Sequence, residues 1–294
     1  RSTKHFLGAP FLDGRKASLF LARVIYTRHK MIAYDVNPAT HELTERWRWN
    51  CNDTSSPYYG QGYHNYSIGD VDWDGRDEIV FGSMVIDDNG KGLSTTGLGH
   101  GDAHHVGDFD PYSWGQQLFA CNEDRPSNNY RDATTSKIRY RLTGSDDDGR
   151  GMAGNFCNDY PGAMGFSAHD TPISCVTNDH ISGLNKTGVT DNFRIYWDGD
   201  LCEENFNYTN GKNTAGGIYK YGKGLIATLT GSMTNNDTKG TPCYQGDLFG
   251  DWREEVIMRT ADNNIRIYTT TTPRTWRNYT LWHDMQYRNA MVWQ

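Results

Sequence analysis

An acidic turn followed by a strand-like run recurs along this chain, and this repeat constrains the fold more than any other feature. Residues 70–80 can be laid over residues 247–257 so that four acidic positions coincide and the strand-like run begins at the same place. Weaker copies begin at residues 108 and 155, so the period is about 40 to 47 residues, with one interval of about twice that length. Such a repeat, with several short strands in each unit, is typical of β-propeller blades. We therefore predict an all-β propeller chain of six or seven units; the alternative is a β-sandwich whose acidic turns coincide by chance.

Short strand-like runs appear throughout the chain, and no run of ten or more residues keeps the 3.6-residue apolar period of a helix. The chain is rich in Tyr, Trp and Gly, which suits many short strands joined by tight turns. We expect no long helix, and we expect a hairpin in which residues 255–259 and 265–269 flank a turn at residues 261–264. The other predicted strands are residues 18–25, 31–36, 78–85, 137–142, 193–197 and 218–221.

Composition excludes several classes of partner. The formal net charge of −7 argues against a nucleic-acid backbone or an anionic membrane. An acidic protein can still act on an acidic polymer, provided that a cation or a local basic pocket receives the negative charge. No stretch approaches the roughly 18 apolar residues of a membrane span, and the first residue is Arg, so we expect a processed chain or part of a longer one. The six cysteines lack C-x-x-C spacing and permit disulfides, with 15 complete pairings left open.

The first acidic turn has the ligand spacing of a calcium-binding loop. Carboxylates on the alternate residues Asp70, Asp72 and Asp74 can point to one centre, and Gly75 permits the sharp turn. Glu78 can supply a closing oxygen, which matters because Ca²⁺ takes six to eight oxygen ligands. We predict a structural calcium here, because such a loop can pin the edge of a blade; the alternative is a solvated acidic turn.

The other copies of this turn are poorer in ligands. The copy at Asp247 carries Phe249 where the first copy has its middle aspartate, which weakens the prediction of calcium there. The weakest copy has Asn155 and Cys157 in the acidic places, and we expect it to bind none.

A second constellation combines histidines and acidic residues from separate parts of the chain. His64, His100, Asp102 and Glu123 offer nitrogen and oxygen donors, and glycines around His100 and Asp102 let backbone and side chains converge on a ligand. Taken by spacing and donor type alone, this set suits Zn²⁺ or Mn²⁺. The alternative is that these are surface histidines, or buried ones with ordinary hydrogen-bond partners.

Two basic residues stand in polar or glycine-rich loops. Arg150 follows three consecutive aspartates and a glycine, and Lys239 lies in the polar run from residue 234 to 242. Taken singly, each reads most simply as a solvent-facing charge.

Four long segments give the chain a family resemblance. In order along the chain they are GDVDWDGRDEIV (residues 69–80), VIDDNGKGLSTTGLGHGDA (85–103), NFRIYWDGDL (192–201) and DLFGDWREEV (247–256). Through these segments the chain resembles the rhamnogalacturonan lyases of polysaccharide lyase family 11. The resemblance runs from about residue 11 to residue 294.

The resemblance implies a fold and an activity. Family members are eight-bladed propellers that bind several Ca²⁺ ions, and their catalytic domains are roughly twice as long as this chain. Residues 1–294 would therefore be a partial β-propeller catalytic domain that lacks the N-terminal blades. The family cleaves the rhamnogalacturonan-I backbone of pectin by β-elimination at galacturonate, which leaves a 4,5-unsaturated uronate. We accordingly expect a secreted, extracellular monomer that acts on this acidic polysaccharide, with neither a nucleic acid nor a membrane as partner.

The resemblance also assigns ligands to the active-site metal. It places the family's calcium ligands on His64, His100, Asp102 and Glu123, so Ca²⁺ replaces Zn²⁺ or Mn²⁺ as the expected ion.

The remaining assignments concern the chemistry. The resemblance places the family's site lysine on Lys239, its sugar contacts on Asn236 and Thr238, and a site arginine on Arg150. We expect Lys239 to be the catalytic base, because a partly desolvated lysine near a cation can have its pKa lowered enough to accept a proton. The chain departs from the family at Asp237, where a glycine is usual. The acid that protonates the leaving oxygen stays open among water, Arg150 and a tyrosine that the family carries beyond residue 294. The rival hypotheses are a non-catalytic calcium-binding propeller that binds glycans or proteins, and a glycoside hydrolase with paired carboxylates.

Overall fold

The computed structural model of the chain describes residues 4–23, 25–184 and 193–292. Two sequence predictions therefore fall partly outside the described residues: residue 24 of the predicted strand 18–25, and Asn192, which opens the third family-like segment. In the described ranges, no helix is long and apolar enough to cross a membrane.

The described chain is all-β and is arranged as six small sheets, each built from strands that follow one another in sequence. The first sheet contains β1 (His5–Gly8), β2 (Ser18–Arg23), β3 (Lys30–Val36) and β4 (Leu43–Asn50). The second contains β5 (Ser67–Gly69), β6 (Glu78–Phe81), β7 (Met84–Ile86) and β8 (Gly92–Thr95). The third contains β9 (Gly101–Gly107), β10 (Gln117–Asn122), β11 (Ser127–Asp132) and β12 (Ile138–Thr143).

The second half of the chain repeats this plan. The fourth sheet contains β13 (Gly151–Gly154), β14 (Met164–Ser167), β15 (Asp170–Ser174) and β16 (Asp179–His180). The fifth contains β17 (Phe193–Ile195), β18 (Glu204–Tyr208), β19 (Gly216–Lys220) and β20 (Gly224–Leu229). The sixth contains β21 (Tyr244–Gly246), β22 (Glu255–Arg259) and β23 (Ile265–Tyr268). Paired strands in the first, second, third, fifth and sixth sheets run antiparallel.

The helical content agrees with the sequence prediction. Among the described residues the α-helix is the short α1 (Met285–Val292), and there are 3-10 turns at Asp237–Lys239 and Leu281–His283. The predicted hairpin is confirmed, because β22 pairs with β23 in antiparallel register from Val256↔Tyr268 to Arg259↔Ile265.

One strand prediction is wrong. The run from residue 78 to residue 85 is two strands, β6 and β7, which pair with each other through Phe81↔Met84. The chain reverses at Gly82, whose φ of 68° lies in the left-handed region that glycine adopts without strain. The reversal is hard to see in the sequence because the surrounding residues are apolar and the turn is only two residues long.

The chain divides into two compact units. The first is formed mainly by residues up to Gly151 together with Ser167–Asp170, and the second by Met152–Phe166 and Thr171–Met291. In the first unit, buried apolar residues cluster around Phe20, Tyr66 and Phe81, and also around Tyr63, Val71 and Leu118. In the second unit they cluster around Phe206, Ile218 and Val256, and also around Met152, Phe156 and Phe166.

A pair of adjacent acidic residues stands at the start of the second strand in three sheets, and two of these pairs belong to the copies of the sequence repeat at Asp70 and Asp247. The second acid of each pair closes its own turn by accepting a backbone N–H from the residue seven positions earlier: Val71 to Glu78 (2.9 Å), Trp197 to Glu204 (2.8 Å) and Leu248 to Glu255 (2.9 Å). The first acid of each pair accepts a backbone N–H from the segment that follows the first strand of the preceding sheet: Phe11 to Asp77 (2.6 Å), Asn155 to Glu203 (2.7 Å) and Tyr196 to Glu254 (2.9 Å). The acidic pair therefore closes one turn by a hydrogen bond and links that turn to the preceding sheet by another.

All six cysteines lie within the described ranges and are free thiols. The disulfides that the even cysteine number permits are therefore not formed in this structure.

Candidate functional site

His64, His100 and Asp102 converge in the first unit. One ligand atom from each lies within 4.8 Å of the other two. The Nε2 atom of His64 lies 3.3 Å from Oδ1 of Asp102, and the two imidazole rings are 4.9 Å apart between centroids. The structure thus brings together three of the four ligands predicted from the sequence.

His100 is oriented as a metal-ligating histidine would be. Its Nδ1 lies 2.6 Å from the carbonyl oxygen of Gly62. Because a carbonyl can only accept, Nδ1 must carry the proton, which leaves the lone pair of the neutral ring on Nε2. His100 is 1% exposed, and its Nε2 has no hydrogen-bond partner within the part of the chain that the structure describes. A backbone carbonyl that fixes the tautomer in this way is the usual outer support of a histidine ligand.

A β-bulge positions Asp102. Strand β9 pairs with β10 through Ala103↔Cys121 and then through Gly101↔Asn122, so Asp102 is an extra residue on one strand. A bulge turns the local backbone and re-aims the side chain. Gly101 is required beside it, because a Cβ there would collide with the carbonyl oxygen of Cys121.

Glu123, the fourth predicted ligand, adjoins His100. Its Oε2 lies 3.4 Å from His100 Nε2, and its side chain is 47% exposed. The turn that carries it is fixed to His100 by backbone groups, because the N–H groups of Glu123 and Asp124 both donate to the His100 carbonyl at 2.9 and 3.2 Å. The carboxylate of Asp124 accepts from the His100 N–H at 2.8 Å.

Sequence reasoning missed two residues that contact the histidines. The hydroxyl of Tyr26 lies 3.1 Å from Nε2 of His64, and its ring lies 4.4 Å from that of His100 between centroids. Lys4 donates to the carbonyl of His64 at 2.8 Å. Both come from the first sheet or its margin, far from the histidines in sequence, and nothing in their local sequence indicates the contact.

The loop of Arg150 passes beside Asp102. A Cβ added to Gly149 would lie 3.1 Å from Oδ2 of Asp102, so the backbone approaches the carboxylate closely. The carbonyl of Arg150 accepts from the N–H of Ala168 at 2.8 Å, which holds the end of this loop. The structure therefore places Arg150 directly after Gly149, whose backbone lies close to the Asp102 carboxylate.

Lys239 belongs to the second unit, whereas His64, His100, Asp102 and Glu123 belong to the first. Lys239 ends the 3-10 turn that begins at Asp237; its side chain is half-buried, whereas Asn236 and Thr238 are exposed. Asp237, the departure from the family, forms an ion pair of 3.0 Å with Lys212. Both partners are more than half exposed, and Lys212 partly offsets the extra negative charge.

The first acidic turn forms a cluster that is short of positive charge. One oxygen each of Asp70, Asp72 and Glu78 lies within 4.8 Å of the others. Asp74 is outside this set, and its N–H donates to Asp70 Oδ1 at 3.0 Å. Glu78 is fully buried; its Oε2 accepts from Val71, while its Oε1 has no hydrogen-bond partner among the described residues. Burial and the charge of Asp72 raise the pKa of Glu78 to about 9.

Two further carboxylates lie near Glu78. One oxygen each of Asp87, Asp88 and Glu78 also lie within 4.8 Å of one another, so Glu78 is shared by two groups. Arg76, whose side chain is half-exposed, forms an ion pair of 3.3 Å with Asp88. The Asp-Asp-Asn-Gly run at residues 87–90 was a signal for this second group, but the pairing of β6 with β7 was needed to place it beside Glu78.

The copy of the turn at Asp247 has protein partners for its buried carboxylates. Asp247 accepts from the N–H groups of Asp251, Trp252 and Leu281 and from the hydroxyl of Thr280. Asp251 forms ion pairs with two arginines, Arg253 at 2.8 Å and Arg274 at 2.6 Å. This saturation agrees with the expectation that the copy is a poorer calcium site.

Comparison with known proteins gives the family. A family model described as rhamnogalacturonan lyase family 11, C-terminal domain, matches residues 1–294. Rhamnogalacturonan endolyase YesW and rhamnogalacturonan exolyase YesX, both from Bacillus subtilis (strain 168), are each 41% identical to the chain, over 307 and 315 residues. These alignments cover 100% of this chain but 47% and 50% of the relatives, so the chain spans about half their length.

Solved structures agree with the sequence relatives. The crystal structure of rhamnogalacturonan lyase YesW superimposes with a TM-score of 0.90 at 39% identity, covering 100% of this chain and 50% of that one. The structure of the Bacillus licheniformis rhamnogalacturonan lyase PL11 gives 0.89 at 38% identity, with the same coverage. Matched along its whole length by the family model and by these relatives, the chain belongs to rhamnogalacturonan lyase family 11.

Proposed function

We propose that the protein to which this chain contributes is a calcium-dependent lyase that cleaves the rhamnogalacturonan-I backbone by β-elimination at galacturonate. The observation that carries the proposal is the convergence of His64, His100 and Asp102, with His100 Nε2 buried and without a hydrogen-bond partner among the described residues. This geometry supports a cation site in a chain whose relatives are rhamnogalacturonan lyases.

The donor set fits a divalent cation. Two imidazole nitrogens and the carboxylates of Asp102 and Glu123 would hold it, with His100 already presenting its lone pair. Donor type alone suits Zn²⁺ or Mn²⁺ as well, and we choose Ca²⁺ on the family resemblance. Bound Ca²⁺ would supply positive charge for the substrate carboxylate and for the negative charge that develops when the adjacent proton is removed.

The chain's own residues have separate tasks in this proposal. Arg150, beside the loop that approaches Asp102, helps to neutralise the uronate carboxylate, because a guanidinium matches a carboxylate with two parallel hydrogen bonds. Lys239 accepts the C5 proton of the galacturonate as general base. The electron pair of the broken C5–H bond forms the 4,5 double bond, the C4–O bond breaks, and the rhamnosyl oxygen leaves with that bond's electron pair and is protonated by a general acid. Asn236 and Thr238, exposed beside Lys239, contact the sugar chain.

We also propose that the six sheets are blades of the family propeller. Each is a short run of three or four sequential strands, which is how a blade is built. The cluster at Asp70, Asp72 and Glu78 would hold a structural Ca²⁺ in one blade. The Oε1 of Glu78, which has no hydrogen-bond partner in the part of the chain that the structure describes, supports this, because a buried carboxylate oxygen without a partner is costly.

Product analysis tests the activity. The full-length protein carrying this chain is incubated with rhamnogalacturonan, and the ultraviolet absorbance of the unsaturated product is followed in calcium and in chelator. We expect absorbance to rise in calcium alone, and His100→Ala to lower the rate by about a hundredfold or more, since a metal's charge stabilisation is worth several kcal/mol. His180→Ala, at an exposed histidine on β16, is the control and should keep the wild-type rate.

Two results would contradict the proposal. New reducing ends without unsaturation would indicate a hydrolase. Glycan binding without any cleavage by the calcium-loaded protein would indicate a non-catalytic propeller.

A further inference from the structure

The fifth sheet holds a buried lysine among three carboxylates. The ammonium of Lys220 lies 2.6 Å from Oδ2 of Asp198, 2.7 Å from Oδ2 of Asp200 and 2.6 Å from Oε1 of Glu204. Lys220 is 6% exposed and Glu204 is 0% exposed. Because an ammonium has three N–H donors, each proton has its own carboxylate, and the group is saturated.

These carboxylates occupy the frame of the first acidic turn. Glu204 and Glu78 each accept the backbone N–H seven residues earlier, from Trp197 and Val71. With the two turns aligned on this contact, Asp198 and Asp200 fall on the second and third aspartates of the first turn. One oxygen each of Asp198, Asp200 and Glu204 lies within 4.8 Å of the others, the same closeness as in the first cluster.

The residue that faces the turn's glutamate differs between the sheets. In the second sheet Ile79 pairs with Ile86. Continuing the antiparallel register by one residue on each strand puts Asp87 opposite Glu78. In the fifth sheet Asn205 pairs with Tyr219, so the same position is Lys220 opposite Glu204.

The sixth sheet shows a third choice at this position. Val256 pairs with Tyr268, which puts Thr269 opposite Glu255, and the Thr269 hydroxyl donates to Glu255 Oε1 at 2.9 Å. The position opposite the turn's glutamate is therefore occupied by a carboxylate in the second sheet, an ammonium in the fifth and a hydroxyl in the sixth.

The hydrogen bonding of the glutamates follows this difference. Glu204 has both oxygens engaged, Oε1 by Lys220 and Oε2 by the N–H groups of Trp197 and Asp198. In the same place Glu78 has a buried Oε1 without a partner among the described residues. A turn with Asp87 gains one more oxygen ligand, whereas a turn with Lys220 already contains a cation.

We infer that Lys220 is a built-in cation that replaces a divalent metal ion in the turn formed by Asp198, Asp200 and Glu204, so that this sheet is closed without calcium. The residue opposite the turn's glutamate determines which cation neutralises the carboxylates. With Asp87 it is a bound divalent cation, and with Lys220 it is the ammonium of the lysine itself. The inference concerns metal content and stability, and it holds whether or not the protein is a lyase.

The cluster around Lys220 lies beside a surface groove. Asp198 and Lys220 line a surface groove of about 420 Å³, together with Lys223 and residues of β20. Removal of the Lys220 side chain would leave three clustered carboxylates open to solvent ions through this groove. An oxygen-preferring ion such as Ca²⁺ should then bind there.

The experiment counts calcium ions bound per chain by equilibrium dialysis and atomic emission, on the full-length protein. We expect Lys220→Ala to bind one ion more than the wild type, and Asp87→Lys to bind one fewer. Lys223→Ala is the matched control: it removes an exposed lysine three residues away and should bind the wild-type number.

Melting temperatures in calcium and in chelator provide a second readout. We expect Lys220→Ala to melt lower than the wild type in chelator and to recover most of the loss in calcium, because the carboxylates then regain a cation. The Asp87→Lys protein should show a smaller shift between calcium and chelator than the wild type. The inference is overturned if Lys220→Ala gains no ion, or if it fails to fold in calcium as well as in chelator. It is also overturned if Asp87→Lys keeps the wild-type calcium number.

Discussion

At the scale of single residues, the buried glutamates show how identical side chains acquire different roles. Glu78, Glu204 and Glu255 all close a turn by accepting a backbone N–H. Their second oxygens face, respectively, no described partner, an ammonium and a hydroxyl. The local sequence around each glutamate is similar, so the difference comes from the strand that pairs with it.

Replacement of Glu78 by Gln should remove the calcium that we propose for the first turn. The amide keeps the size of the side chain but loses the charge that attracts the ion, and we expect one bound Ca²⁺ fewer per chain by calorimetric titration. Glu255→Gln is the control, because both oxygens of Glu255 already have protein donors. Equal calcium numbers for the two variants would argue against a metal at Glu78.

Replacement of Lys239 by Met should remove the proposed general base. We expect kcat on rhamnogalacturonan to fall by about 10²- to 10⁴-fold, the usual contribution of general acid–base catalysis, with a smaller change in KM. Lys212→Met is the matched control, since Lys212 is exposed and pairs with Asp237. A Lys239→Met protein with wild-type kcat, or a Lys212→Met protein with the same loss, would assign the base elsewhere.

At the scale of elements, the acidic pair that begins β6, β18 and β22 makes each turn dependent on an earlier sheet. Asp77 illustrates this. Its Oδ2 accepts the N–H of Phe11, which lies between β1 and β2 of the first sheet, at a distance of 2.6 Å. The pair therefore acts as a connection between sheets as well as a turn closure.

Replacement of Asp77 by Ala should destabilise the first unit. It leaves a partly buried backbone donor unpaired, which costs about 1–3 kcal/mol, and urea unfolding measures the loss. The control is Asp53→Ala, which removes an exposed carboxylate that bonds within its own loop to Ser55; we expect a change within about 0.5 kcal/mol. Similar losses in the two variants would show that the contact between sheets is not the cause.

Elements also mark the limit of what the sequence could predict. The all-β class and the turns at Asp70 and Asp247 were predicted correctly, since the acidic repeat is local and regular there, whereas the equivalent turn before Glu204 was not recognised as a copy. The turn at Gly82 was missed because two residues suffice to reverse the chain there. Tyr26 and Lys220 were missed for another reason: their roles follow from sheet contacts and strand register, which a single sequence does not display.

At the scale of the whole molecule, the chain keeps several acidic groups buried, and its stability should depend on pH. Burial raises the pKa of Glu254 to about 7, against the hydrogen bonds from Tyr196 and Tyr287, which lower it. The folded protein therefore retains a proton that the unfolded chain releases near pH 4.5. By linkage, this group costs stability as pH rises from about 4.5 to 7, and the cost is complete above 7.

Glu254→Gln should flatten this dependence. We expect the urea midpoint of the wild type to fall, relative to that of the variant, between pH 5 and pH 7, because the amide has no proton to lose. Glu42→Gln, at an exposed glutamate, is the control and should follow the wild type at both pH values. An unchanged difference between wild type and Glu254→Gln at the two pH values would contradict the assignment.

Across the whole molecule we propose three cation positions: a catalytic ion at the histidines, a structural ion at Glu78 and, at Glu204, an ammonium in place of an ion. An anomalous-scattering map of crystals grown in calcium tests all three positions at once. We expect one peak among His64, His100, Asp102 and Glu123, a second between Asp70 and Glu78, and none at the position of Lys220 Nζ. A map without the peak at the histidines, or with a peak at the Lys220 position, would contradict it.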